Sequence, residues 1–201
     1  MHYIMAMLGG YLLGSVPFAL VIGKVFYKTD IRNFGSRNLG GGNAGRVLGK
    51  KAGVAVMTMD ILKVALAIWL AYLWGEGEMI LILAGLSAAV GHCFPLFAGF
   101  KGGKAVATMY GFLFGMALVG GYGLRIFLFP LAVFLIVLYF WKIIALASIF
   151  SAAAVTVFVY ITTGSISMLT ALSIFTVLIV VRHKKNIIRI INHEENKISW
   201  M

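Results

Sequence analysis

Gly91-His92-Cys93-Phe94-Pro95-Leu96-Phe97-Ala98-Gly99-Phe100-Lys101-Gly102-Gly103-Lys104-Ala105-Val106-Ala107-Thr108 is the stretch on which the reading of this chain turns. It begins where one long apolar run ends, carries two lysines separated by two glycines, and passes straight into another apolar run. That is the pattern of a membrane helix meeting water. Pro95 cannot donate a backbone hydrogen bond and stops regular helix there. Two other segments share this character, Asp30 to Lys51 and Arg182 to Lys197, and the three hold nearly all the polar chemistry of the chain.

Hydrophobic residues make up 62% of the 201 residues and charged ones 11%, an apolar excess that no water-soluble core absorbs. The apolar runs are continuous, whereas a membrane barrel needs alternation. The expectation is therefore an all-α integral membrane protein, because a helix satisfies its own backbone in lipid. Residues 1–201 read as a single transmembrane domain, without internal repeats. A lone cysteine, Cys93, excludes an intramolecular disulfide and a cysteine-cluster metal site. The first run lacks a basic leader and a small-residue cleavage site, and is expected to stay as a span.

Seven spans fit the runs: about 3–27, interrupted at Gly14-Ser15-Val16-Pro17; 53–74; 79 to the His92–Gly99 region; 104–122; 126–141; 143–162; and 165–181. A count of five holds if the short runs around 104–122 and 126–141 bend back. Alternation through seven places the 28–51 segment, the 100–104 link, Lys142 and the tail on one side, with every Lys and Arg outside the spans except Arg125. Glu76 and Glu78 fall on the other side. Basic loops stay cytoplasmic, so the N-terminus is expected outside and the C-terminus in the cytoplasm. The net charge of +11 then belongs to one membrane face and its anionic partners.

Within the first basic segment, Gly35 to Gly45 is rich in glycine and free of acid, and can close with a short interfacial helix. Unhindered backbone N–H groups make anion-cradling concavities, and Ser36, Asn38 and Asn43 add donors. Arg46 brings a planar fork suited to phosphate. In the second, Lys104 follows paired glycines and precedes a helix. The spacing is not that of a P-loop, since Ala105 stands where a hydroxyl residue would hold magnesium. His92 just inside a span implies a buried, partnered imidazole. Asp60 and Lys63, three apart, share a helical face and can pair. His183 and Asn186 in the tail share a face too, as do Arg182 and Arg189. Each segment alone also fits a connector, a topology signal or a contact with anionic lipid. Their convergence on one side is what points to a dedicated anion site.

Three motifs, taken together, resemble those of the bacterial acyl-phosphate:glycerol-3-phosphate acyltransferases. They are Gly35-Ser36-x-Asn38-x-Gly40-x-x-Asn43, then Gly91-His92-x-Phe94-Pro95-x-Phe97-x-x-Phe100-Lys101-Gly102-Gly103-Lys104, then Arg182-His183-x-x-Asn186-Ile187-x-Arg189. Gly14-Ser15-x-Pro17, Arg46, Lys50-Lys51-x-Gly53 and Asp60-x-x-Lys63 extend the resemblance over nearly the whole chain. It implies a seven-helix bundle in the bacterial cytoplasmic (inner) membrane, with the site on the cytoplasmic face. The implied reaction moves an acyl group from acyl phosphate to the 1-hydroxyl of glycerol 3-phosphate, giving lysophosphatidic acid and phosphate as the first step of phospholipid synthesis.

The resemblance implies catalytic roles for His183, Asn186 and Ser36. Arg46, Lys101, Lys104, Asn38, Asn43, Gly40, Gly102, Gly103 and His92 are implied to bind the phosphates, with Asp60, Lys63, Arg182, Arg189 and Glu195 in support. The implied partners are the two substrates and the lipid bilayer, with no metal, cofactor or nucleic acid. His183 acts either as the base, oriented by Asn186, or as a binding residue while a substrate phosphate takes the proton; the second is favoured. Arg37, Gly42, Ala145 and His193 stand where the family usually has glycine, threonine, serine and glycine. The alternatives are a weakly active member of the family or a membrane carrier of phosphate compounds.

Overall fold

The computed structural model describes residues 1–75 and 77–198. Glu76, half of the expected acidic turn, and the last three residues of the tail lie outside them. Ten α-helices follow in order: α1 (His2–Gly14), α2 (Phe18–Tyr27), α3 (Gly41–Leu48), α4 (Lys50–Tyr72), α5 (Glu78–Cys93), α6 (Val106–Val119), α7 (Arg125–Trp141), α8 (Ile144–Thr163), α9 (Ile166–Arg182) and α10 (Lys184–Ile191). Single 3-10 turns occupy Ile31–Asn33 and Leu96–Ala98. No strand occurs among the described residues.

Four stretches are long and apolar enough to cross a membrane: His2–Tyr27, Lys50–Tyr72, Glu78–Ala98 and Ile144–Thr163. A fifth arises if α9 and α10, which meet at 61°, are taken as one bent span. Helices α6 and α7 have only 14 and 17 residues. At about 1.5 Å per residue, α6 reaches ~21 Å, short of the ~30 Å hydrocarbon core. Seven apolar segments are present as expected, but by length alone not all of them are spans.

The break at Pro17 falls where the sequence suggested, dividing the first span into α1 and α2. Helix α1 meets α5 along a seam of small residues. A Cβ on Gly10 or Gly14 would strike the backbone of Ala84 or Ala88, and one on Gly91 would strike Tyr11 O. Such close approach is how helices associate where lipid removes the hydrophobic drive. A second seam joins α3 to α4, with Gly41 and Gly45 against Gly53.

Three apolar clusters result, the smallest of them Val137, Leu138 and Ala147 between α7 and α8. The largest, including Ile68, Ile80, Met109, Phe112, Met168 and Phe175, lies among α4, α5, α6, α8 and α9. The second gathers Ala19, Leu20, Ile31, Leu39, Ala44, Val56 and Ala98, and builds a lobe from α2, α3 and the start of α4. Contacts identify the two ends of the bundle. His2 stacks on Trp74 at 5.7 Å, while Tyr122 and Ser165 both donate to Glu78, the latter over 3.3 Å. At the opposite end, Ile198 N–H donates to the Lys142 carbonyl over 2.8 Å, which ties the tail across the α7–α8 turn.

Candidate active site

The link between α5 and α6 folds back on itself. Gly102 N–H donates to Cys93 O over 3.2 Å and Gly103 N–H to His92 O over 3.0 Å. Neither glycine has room for a side chain: a Cβ on Gly102 would meet His92 O, and one on Gly103 would meet the His92 ring. Arg182, at the end of α9, clamps the same link from the other side. Its Nε and Nη2 donate to Gly103 O (3.0 Å) and Gly102 O (2.9 Å), and its guanidinium lies 5.2 Å from the Phe94 ring centre. Gly102 and Gly103, which the resemblance implies to bind the phosphates, thus spend their N–H groups on α5 and shape the link.

Lys104, next along, is half-buried and donates to Asn186 Oδ1 over 2.5 Å. Asn186 Nδ2 donates to Glu195 Oε1 over 2.7 Å, and Arg189 Nε to Glu195 Oε2 over 2.7 Å. A chain of side chains therefore runs from the link through α10 to the tail. Burial, reinforced by the positive charges of Arg189, Arg182 and Arg46 and opposed by Glu195, pulls the Lys104 ammonium down to about 8. That all three segments act on one ammonium places them around a common point. Lys101, only three residues away, is exposed and has no protein partner among the described residues.

His183 stands at the α9–α10 bend, 3% exposed. Its Nδ1 lies 2.8 Å from Ile179 O. A carbonyl only accepts, so Nδ1 carries the hydrogen and Nε2 keeps its lone pair. Burial, with the charges of Lys104 and Arg182, lowers the imidazole to about 4 against the pull of Ile179 O and Glu195. His183 and Asn186 are brought together as their spacing suggested, yet Ile179 rather than Asn186 orients the ring. Arg182 and Arg189 do not share a face, because the 61° bend separates them onto the link and the tail.

The glycine-rich segment is partly helical. Gly40 is the N-cap of α3, whose first N–H groups have no helical acceptor. Asn43 faces inward, 3% exposed. Its Oδ1 accepts from Ser36 N (2.8 Å), and its Nδ2 donates to Ile31 O (3.3 Å) and Phe34 O (3.2 Å). With both amide hydrogens engaged, Asn43 holds the loop closed and is not a donor to substrate. Ser36 is exposed, Asn38 half-buried and Arg46 exposed. Asp30 grips Arg32 at 2.7 Å and approaches Lys24 at 3.6 Å. Those charges hold its carboxyl well below the usual range, and Asp30 neutralises that corner of the face.

Beneath the link lies a second ionic group. Lys63 Nζ is 2.7 Å from Asp60 Oδ1, so the pair read from their spacing is formed. The same ammonium reaches Val16 O (2.9 Å) and His92 Nδ1 (3.1 Å). Asp60, Lys63 and His92 are 1%, 4% and 6% exposed. His92 is thus the buried, partnered imidazole expected, but it sits under Gly103 and not among the phosphate-facing groups. The carbonyl of Val16, freed by the Pro17 break, is the contact that sequence reasoning missed. No group of three His, Cys, Asp or Glu able to hold a metal occurs among the described residues.

The profile of the glycerol-3-phosphate acyltransferase family matches residues 4–193. A glycerol-3-phosphate acyltransferase of Enterococcus faecalis is 42% identical over 209 residues, covering 100% of this chain and 94% of that one. One from Geobacillus kaustophilus is 43% identical over 190 residues, covering 94% and 93%. Two crystal structures of the integral membrane glycerol 3-phosphate acyltransferase PlsY (YgiH) superpose on nearly the whole fold. The glycerol 3-phosphate form has a TM-score of 0.90 at 33% identity, covering 99% of this chain and 96% of that one; the lysophosphatidic acid form has 0.88 at 32%, with the same coverage. Shared from end to end in both sequence and fold, this chain belongs to the glycerol-3-phosphate acyltransferase family of integral membrane proteins.

Proposed function

We propose that the chain transfers an acyl group from acyl phosphate to the 1-hydroxyl of glycerol 3-phosphate, at the cytoplasmic face of a bacterial inner membrane. The observation that carries this reading is the convergence of Arg46, Lys104, Arg182 and Arg189 beside an imidazole whose Nε2 is an acceptor. Solved relatives in glycerol 3-phosphate and lysophosphatidic acid forms supply the acceptor and the product.

Acyl phosphate is a mixed anhydride, so the enzyme's work is chiefly to hold two anions together and to stabilise the charge that develops. Lys104 and Arg46 take the phosphates, with Ser36, Asn38 and the free N–H groups opening α3 as neutral donors. Lys101 adds field at the mouth. The glycerol 1-oxygen attacks the acyl carbon, forming the ester as the carbon–oxygen bond to phosphate breaks and its electron pair leaves with phosphate. With His183 held to about 4 it is a poor base at neutral pH. It accepts the hydroxyl hydrogen and aims the oxygen, and the proton ends on the departing phosphate.

The contacts favour seven crossings with the N-terminus outside. His2, Trp74, Glu78, Tyr122 and Ser165 share one end, and Lys142 and the tail share the other. Every Lys and Arg outside the spans except Arg125 belongs to the second end. The test is purified protein with long-chain acyl phosphate and glycerol 3-phosphate. Phosphate release that needs both, with acyl-CoA inert, is expected; release that ignores glycerol 3-phosphate would discard the reading. Labelling of Lys101→Cys in a Cys93→Ser background, from the cytoplasmic side only, checks the orientation.

A further inference from the structure

A buried ion pair is a poor device for stability, because desolvating two charges offsets most of their attraction. The Asp60–Lys63 pair therefore calls for another explanation, and its surroundings supply one. The Lys63 ammonium has three close partners: the Asp60 carboxylate at 2.7 Å as an ion pair, and Val16 O and His92 Nδ1 as acceptors. Accepting from an ammonium fixes His92 with its hydrogen on Nε2. The Nε2 edge of the ring so held fills the space a side chain on Gly103 would need, while the His92 carbonyl receives the Gly103 N–H. Arg182 presses from the opposite side onto the carbonyls of Gly102 and Gly103. Lys104 is the next residue.

We propose that Asp60, Lys63 and His92 form a positioning element that sets the height of the Gly102–Lys104 link between the α1–α2 break and Arg182, and thereby the affinity for the phosphate of glycerol 3-phosphate. None of the three touches substrate; they act through Gly103 on Lys104. The proposal rests on the reading that Lys104 holds a substrate phosphate. It explains why a helix break, a buried carboxylate and an imidazole from three separate helices meet on one ammonium. It also accounts for the inward-facing charge, since only a directional ammonium joins α1, α4 and α5 at a single point. Both Asp60 oxygens are buried without a hydrogen-bond partner, so the carboxylate is held there by charge: Lys63 Nζ lies 2.7 Å from Oδ1, with His92 Nδ1 3.5 Å from the same oxygen.

The experiment separates stability from placement. Replacing Asp60 and Lys63 together by Leu and Met removes both charges at similar volume, a change that buried pairs usually tolerate. The double variant is expected to unfold near the wild-type midpoint, yet to show a KM for glycerol 3-phosphate raised about tenfold with kcat within about threefold. His92→Asn keeps an acceptor where Nδ1 was and removes the ring edge against Gly103. It is expected to show the same split, and stands alone if the double variant does not fold. A KM for glycerol 3-phosphate unchanged in His92→Asn overturns the proposal, as does a loss of kcat with KM untouched. If the wild type itself releases no phosphate from acyl phosphate and glycerol 3-phosphate, the assigned reaction falls and the positioning role with it. A working wild type beside variants of unaltered KM removes the positioning role only.

Discussion

Two ionic groups lie on either side of Gly103, built from similar parts and put to opposite use. Beneath the link, Lys63 is almost fully buried and its ammonium is surrounded by partners, with Asp60 as counter-ion and His92 and Val16 as acceptors. Above it, Lys104 is half-buried, has one protein acceptor, and is crowded by Arg46, Arg182 and Arg189. The first is closed and the second is short of negative charge. A closed group fixes geometry, and a group left positive recruits an anion. The same residue type thus serves as a strut or as a binding site according to how many partners the protein itself supplies.

The contrast breaks first at Lys104. Lys104→Met is expected to lower kcat/KM by about 10³-fold, because a charge-assisted contact in a water-poor site is lost. Its thermal unfolding in detergent should barely move, and a large fall in the midpoint would show Lys104 to be a strut after all. Removing charge from the closed group should do the reverse. Asp60→Asn leaves a buried ammonium without its counter-ion and is expected to destabilise the protein by about 3 kcal/mol, read as a lowered unfolding midpoint.

A smaller effect probes the proton. His183→Gln keeps a hydrogen-bonding group near Nε2 and should retain kcat within about tenfold at saturating substrates. A loss of 10³-fold would make His183 the base. Titration then sharpens the role of Lys104. Its ammonium is lowered to about 8, so it is charged below that pH and neutral above it. The KM for glycerol 3-phosphate should climb as pH rises through about 8, and Lys104→Arg should move that limb out of reach, since guanidinium stays charged. The smallest expected change lies at the rim. Arg37 and His193 have φ of +59° and +58°, a region that costs an L-residue about 1 kcal/mol. Arg37→Gly or His193→Gly should raise stability by about 0.5 kcal/mol with activity intact, once the greater freedom of glycine in the unfolded chain is set against the relief of strain.

Those two positions show what was legible in the sequence and why. The resemblance leads one to expect glycine at both, and the positive φ is a conformation that favours glycine; the conformation itself was not readable from Arg and His. The apolar runs, the Pro17 break, the Asp60–Lys63 pair and the convergence of three basic segments were all legible, because each rests on local spacing. The roles of the other glycines were not. A glycine that exposes its N–H and one that lets two helices touch look identical in sequence, and Gly41, Gly45, Gly102 and Gly103 proved to serve close approach. Asn43 likewise reads as a donor until Ile31, Phe34 and Ser36 are seen to engage it. His92 and Lys63 are 29 positions apart, a pairing that only the tertiary fold creates. The shortness of α6 was hidden because the run without charge continues past its C-terminal end through Gly120, Gly121 and Tyr122.

The carbonyl of Val16 has a consequence for how the protein is made. A chain emerging into a membrane delivers the first span long before α4, and the Pro17 break then leaves the Val16 carbonyl with only the Phe18 N–H, over 3.2 Å, in place of the helical donor it has lost. Lys63 arrives in the second long helix with the opposite deficit, an ammonium in need of acceptors. Each defect cures the other, and the arrival of His92 with α5 completes the cure. Insertion of the first three long helices is therefore expected to behave as one concerted step: a nascent chain halted before Lys63 should leave the first span prone to degradation, and one halted after Cys93 should not.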